Sequence, residues 1–168
     1  CWKVVNEFKN EMACCAVKHS TPCGVAVGSS ALETYKKTFE CDPVSIFGGI
    51  IGMNFKVDAV TAEELNKTFL EIVMAPDFDA DALDILKKKK NLRIIKIKNA
   101  VSDKQTWVKI DGGILVQDND NQFSEDIQTV TVFKPSAQQE KALLFAQRVV
   151  KYVKSNAIVV SNGFQALG

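Results

Sequence analysis

The chain has 168 residues, 46% hydrophobic and 24% charged, and its 21 basic and 20 acidic side chains leave a formal charge of +1. That length carries one full domain, or one domain and part of another, with enough apolar residues for a core that needs no staple. The balanced charge excludes a global pull toward nucleic acid or an anionic membrane, and no apolar run reaches the ~18 residues of a membrane helix.

Five cysteines, Cys1, Cys14, Cys15, Cys23 and Cys41, crowd into the first quarter. An odd set without a secretory signal reads as reduced thiols, hence a cytoplasmic protein. The chain opens without Met, in what reads as the middle of a helix ("CWKVVNEFK"), and stops after an apolar stretch. The expectation is a piece of a longer polypeptide.

In chain order, Trp2, Val5 and Phe8 share a helical face, and "MACCAV" (Met12 to Val17) is a buried-strand run. A Lys18-His19 pair follows, then a Pro-Cys-Gly turn and "VAVG". Ser30 and Glu33 have capping-box spacing, opening a helix with Leu32, Tyr35 and Phe39 on its apolar face. "ECDPVSIFGGIIGM" leads from a turn into another buried strand, with Gly48 and Gly49 where backbone comes close to something. Thr61 and Glu64 form a second capping box, opening a helix whose Leu65, Phe69, Ile72 and Val73 keep three-four spacing. Asp79 to Lys90 is a dipolar helix, acidic first and basic last. "LRIIKIK" alternates as a strand with one wet face.

Residues 99 to 126 read as loop with one short strand in "GGILVQ", and "TVTVFKPS" as a strand ending in a turn. Ser136 to Lys154 is the longest helix, with Leu143, Leu144, Val149, Val150 and Val153 apolar. "SNAIVVS" is a last buried strand. Helices alternating with buried strands make the class α/β.

Histidine changes charge near neutral pH, and His19 is the chain's only one. At a strand end it can share a cleft with Lys18, whose ammonium can hold developing negative charge. On spacing alone the pair is either an acid/base device or a surface lysine beside a histidine bonded to a carbonyl. A zinc deaminase needs a Glu two residues after its ligand and a Pro-Cys-x-x-Cys. Thr21 stands at the first position and the second is missing, so no metal is expected. Lys87 to Lys98 carries seven basic residues and no acid. Without interleaved aromatics it reads as a solvated helix end and strand face. Asn156 is either a residue opening the last strand or an orienting amide.

Five blocks add what spacing does not. "VKHSTPCGVAVG", "YKKTFECDPVSIFGGIIGMN", "IVMAPDFDADALDILKKKKNLRI", "GGILVQD" and "LLFAQRVVKYVKSNAIVVS" occur in this order. Together they are similar to the transformylase domain of the bacterial bifunctional purine-biosynthesis enzyme, aminoimidazole carboxamide ribonucleotide formyltransferase fused to inosine monophosphate cyclohydrolase. The resemblance runs along essentially the whole chain. It implies formyl transfer from 10-formyltetrahydrofolate to the 5-amino group of the ribonucleotide. It gives His19 the proton transfer, Lys18 assistance to the transition state and the folate leaving nitrogen, and Asn156 orientation of the amine or formyl oxygen. Phe47 and Gly48 resemble the segment lining the substrate pocket, and Glu71 an acidic residue near the pterin.

The implied fold is a cytidine-deaminase-like three-layer α/β/α sandwich with a mixed sheet and no zinc chemistry. Residues 1-126 would be the first deaminase-like unit and 127-168 the opening of the second. The implied assembly is a homodimer with active sites at the subunit interface. "HSTPCG" departs from the commoner "HANPCG" and "HTNPCG" only at small positions. The cyclohydrolase domain and the family's later phosphate-binding segments are not in this sequence, so weak nucleotide binding and no turnover are expected of it alone. Two other readings stay open: a non-catalytic folate-binding or dimerisation piece and, more weakly, a zinc-dependent deaminase.

Overall fold

The computed structural model describes residues 1–98, 104–123 and 128–168. Its elements are α1 (Trp2–Asn6), β1 (Met12–Lys18), β2 (Thr21–Gly28), α2 (Ala31–Cys41), β3 (Gly49–Met53), α3 (Ala59–Asn66), β4 (Leu70–Ala75), α4 (Ala80–Leu86), β5 (Arg93–Lys96), β6 (Gln105–Ile110), β7 (Gly113–Asp118) and α5 (Ala137–Val150).

The apolar run expected as a strand is β1, buried from Ala13 to Val17. It pairs antiparallel with β2 on one edge and β3 on the other. The crossovers through α3 and α4 then lay β4 and β5 parallel to β3. The result is a mixed five-stranded sheet in the order β2-β1-β3-β4-β5. Strand side chains alternate between faces. Cys14 and Ala16 of β1 therefore join Ile51, Met53 and Val73 under Tyr35 of α2, Leu65 of α3 and Leu86 of α4. Ala13, Cys15 and Val17 join Val25 and Val27 under Val4 and Val5 of α1 and Phe145 and Val149 of α5. Helices flank both faces, which is why the central strand reads as continuously apolar.

Local chemistry sets the helix starts. Ser30 accepts from the Glu33 N–H, and the Glu33 carboxylate reaches one residue further back, to the Ser29 N–H at 2.9 Å. Thr34 and Thr38 line the buried side of α2, their hydroxyls donating to Ser30 O at 2.6 Å and Thr34 O at 2.9 Å. The Ser136–Gln139 capping box opens α5, the longest helix among the described residues.

Several expectations are corrected. The helix projected from Thr61 through Val73 is two elements: α3 is capped by Asp58 and ends at Asn66, and Leu70–Ala75 is β4. Three-four spacing does not separate a short apolar run of this kind from a strand, and pairing with β3 and β5 decides it. The helix expected to reach Lys90 stops at Leu86, and Lys89 folds back to donate to Thr68 O at 2.5 Å. Beyond residue 103, "GGILVQ" has a partner: β6 and β7 form an antiparallel hairpin, with Gly112 at φ 77° in its turn. "TVTVFKPS" and "SNAIVVS" are not strands, and Val132 and Ile158 are 104% and 86% exposed. Strand-type residues form strands only where an edge accepts them. The outer edge of β2 is taken instead by Phe164 and Ala166, through Val27 N–H to Phe164 O at 2.7 Å and Ala166 N–H to Val25 O at 2.9 Å. The division projected between residues 126 and 127 lies outside the described residues.

A polar clasp ties α5 to α1. The Glu7 carboxylate accepts from the Tyr152 hydroxyl and from Lys151 Nζ at 2.9 Å. Arg148 pairs with Glu11 at 3.8 Å and lies over the Phe8 ring, which itself meets Phe145 at 5.2 Å. Burial raises the Glu7 pKa, but hydrogen bonds from Tyr152 and Lys151 and the charges of Lys151 and Arg148 outweigh it, holding the carboxyl below its ordinary 4.5. A depressed carboxyl pKa stabilises the fold above its unfolded value and loses that contribution as pH falls through the folded one. Urea midpoints should therefore fall as pH drops below 4.5, and Glu7→Gln should flatten part of that slope. An identical slope in Glu7→Gln would remove Glu7 from the account.

Candidate functional site

The site is built at one end of β1. Lys18 is the last residue of that strand and pairs with Thr21, leaving His19 and Ser20 as a two-residue turn. Their φ values are 51° and 65°. Positive φ at both positions is the hairpin geometry normally given to Asn-Gly, since it suits the twist of the flanking strands. For residues bearing a Cβ this conformation costs about 1–2 kcal/mol each. Such strain clusters at functional positions. The Pro-Cys-Gly turn expected from sequence is instead the start of β2; the chain reverses two residues earlier. The turn leaves His19 exposed at its tip.

The half-buried Lys18 reaches sideways. Its Nζ donates to Phe47 O and Gly48 O, both at 3.0 Å. Those carbonyls lie in the loop before β3, the strand beside β1. Gly48 sits at φ 66°, and a Cβ there would lie 2.9 Å from Lys18 Nζ. The close approach expected at this glycine is thus to a catalytic candidate. An ammonium has three donors. The two carbonyls take two and leave one for a ligand.

Glu71 is exposed on β4, one residue beyond Leu70, which pairs with Gly49. In the parallel register Glu71 falls at the shift between the Gly49 and Ile50 pairs, and no hydrogen bond or ion pair among the described residues joins it to Lys18. Asn156 is exposed in the irregular run after α5, and no hydrogen bond among the described residues ties it to Lys18 or His19. Residues 158 and 159 of that run line a cavity of about 320 Å³ together with Pro22 and Cys23. The structure therefore joins Lys18, Phe47 and Gly48 directly and sets His19 next to Lys18 on the turn.

Phe69 is a neighbour that spacing assigned to a helix core. It is 46% exposed, and its ring lies 5.3 Å from that of Phe47. An aromatic just past the end of a capped helix was the available signal.

The thiols do not compete for the chemistry. Burial pushes Cys23 up to about 11 and Cys15 up to about 12. Thiols this reluctant to ionise are poor nucleophiles at neutral pH. Among the described residues no group of three or more His, Cys, Asp or Glu is arranged to hold a metal ion. In the basic segment Lys96 pairs with Asp77 at 2.6 Å and Lys89 is bound to a carbonyl. Among the described residues no helix is long and apolar enough to cross a membrane.

Gly48→Ala separates two effects. The positive φ should cost about 1 kcal/mol or more of stability. The new methyl should also push away the lysine tip, which is flexible and yields easily. The expected result is a lower urea midpoint together with faster acylation of Lys18, read by mass spectrometry. Wild-type behaviour in both would contradict the clamp.

Comparison with known proteins places these features in a family. The family model described as "AICARFT/IMPCHase bienzyme" matches residues 1–168. The bifunctional purine biosynthesis protein PurH of Fusobacterium nucleatum is 59% identical over 167 residues, covering 99% of this chain and 33% of that protein. The protein of the same description from Clostridium botulinum strain Hall is 58% identical over the same coverage. The chain thus spans about a third of the length of the curated relatives it matches. Among solved structures, the dCMP deaminase of cyanophage S-TIM5 aligns with a TM-score of 0.42 and 11% identity, over 51% of this chain and 79% of that one. A likeness at that score carries no argument. The family match rests on sequence along the whole length: the chain belongs to the AICARFT/IMPCHase bienzyme family.

Proposed function

We propose that this chain is part of the transformylase half of the bienzyme, moving a formyl group from 10-formyltetrahydrofolate to the 5-amino group of aminoimidazole carboxamide ribonucleotide. The observation that carries the reading is the Lys18 clamp: an ammonium held by the Phe47 and Gly48 carbonyls, one residue from an exposed imidazole on a strained turn.

The acceptor amine shares its lone pair with the ring and carboxamide, so it attacks poorly unless a base relieves it of a proton. His19 is that base. As nitrogen adds to the formyl carbon, the carbonyl electrons move to oxygen, and the remaining Lys18 N–H faces that oxyanion. Collapse restores the carbonyl, breaks the bond to the folate nitrogen and returns the proton to that nitrogen. The amine has then lost one proton and tetrahydrofolate has gained one. Phe47 and Gly48 hold Lys18 and line the pocket, and Glu71 lies toward the pterin. The role of Asn156 in orienting the amine or formyl oxygen rests on family resemblance alone.

The same reading makes the fold the cytidine-deaminase-like three-layer type, supported by helices on both sheet faces. It also makes the parent a cytoplasmic homodimer that carries the cyclohydrolase as well. A second reading, a non-catalytic folate-binding or dimerisation piece, is favoured by the β6–β7 hairpin, which exposes Trp107, Ile114 and Leu115 at 65%, 58% and 57%.

Formyl transfer by the full-length parent, wild type against His19→Ala at saturating substrates, tests the catalytic reading. Loss of a general base should lower kcat about a hundredfold or more while nucleotide binding is kept. A near-normal rate would take His19 out of the chemistry and leave only the fold assignment standing.

A further inference from the structure

We propose that Phe69 is a positioning residue for Lys18. A large aromatic left 46% exposed contributes little to the core, yet this one touches the Lys18 clamp from two sides. Its carbonyl accepts the Gly48 N–H at 2.8 Å. Its ring packs against Phe47, centroids 5.3 Å apart and planes tilted by 46°. Ring atoms Cε1 and Cδ1 lie 3.5 and 3.6 Å from where a Gly48 Cβ would stand, so the ring also covers Gly48.

The Phe47–Gly48 segment supplies both carbonyls that hold Lys18. Regular sheet pairing does not hold that segment, because the β3–β4 ladder begins at Gly49 with Leu70 and shifts register before Ile50. Turn bonds from Phe47 N–H to Val44 O at 3.4 Å and from Gly49 N–H to Ile46 O at 2.9 Å hold it from its own loop, and Phe69 holds it from the neighbouring chain. Its backbone fixes one peptide plane, and its ring limits the swing of Phe47. The side-chain part of this is open to mutation, because any residue at position 69 keeps the carbonyl.

The test has two arms, and only the second rests on the transformylase reading. In the first, this chain is prepared with isotope-labelled lysine, and the Lys18 Cε signal is followed by NMR at one neutral pH beside its rate of acylation. Phe69→Leu should shift that signal and speed acylation of Lys18, while Phe69→Tyr, which keeps the ring, should superimpose on wild type. Circular dichroism confirms folding, and Phe69→Met replaces the leucine variant if that one does not fold. A Lys18 signal and acylation rate unchanged in the ring-less variant overturn the proposal, as does an equal shift in Phe69→Tyr.

In the second arm, full-length enzyme carrying Phe69→Leu should lose about fivefold in kcat, the size of an aromatic pair, with KM for the nucleotide unchanged. Phe69→Tyr should restore the rate. A rise in KM alone would make Phe69 a simple wall of the pocket and overturn the positioning role. If the wild-type parent shows no formyl transfer, the transformylase reading falls, and the NMR arm still decides Phe69.

Discussion

A strand buried on both faces and paired on both edges has no freedom of register. β1 meets that condition, with Ala13 to Val17 buried and β2 and β3 bonded to either side. A slip of one residue would turn Cys14 and Ala16 out from under α2 and bring Ala13, Cys15 and Val17 in. The position of Lys18 at its end is therefore fixed by the whole core. The two-residue turn that follows offers His19 no other place than the tip.

That constraint explains how a flexible side chain becomes part of a site. A surface lysine samples many rotamers, and ordering it costs up to about 2 kcal/mol of side-chain entropy. Here the β1–β3 pairing brings the loop before β3 within reach, and Gly48, at φ 66°, turns its carbonyl with that of Phe47 toward the ammonium. The strain falls on His19 and Ser20, since glycine takes a positive φ freely, and Lys18 joins that turn to Gly48 in one short arc. Helices covering both sheet faces, and the Glu7 clasp between α1 and α5, hold the arc from behind.

Much of this was legible in the chain. Met12–Lys18 and Gly49–Met53 announce buried strands because both faces are covered and the apolar run is unbroken. Ser30 and Ser136 announce helix starts because a capping hydroxyl bonds locally. The Lys18-His19 pair was visible, but its partners were not: Lys18 is held by carbonyls 29 and 30 residues away, and backbone acceptors leave no mark on side-chain spacing. Leu70–Ala75 was absorbed into a helix since a short apolar run fits either period. In "SNAIVVS" the pairing among the described residues is confined to Val160 and Ser161, against Ala166–Gly168, so the backbone around Asn156 stays irregular despite its strand chemistry. Phe69 was hidden by the same misread helix.

The central claim is that the His19 imidazole moves the proton beside a clamped Lys18. Chemical rescue tests it most directly: full-length His19→Ala enzyme assayed for formyl transfer with increasing free imidazole. The account predicts a rate that is low without imidazole and rises with its concentration, while the wild-type rate stays flat. A variant as fast as wild type with no imidazole present would contradict it.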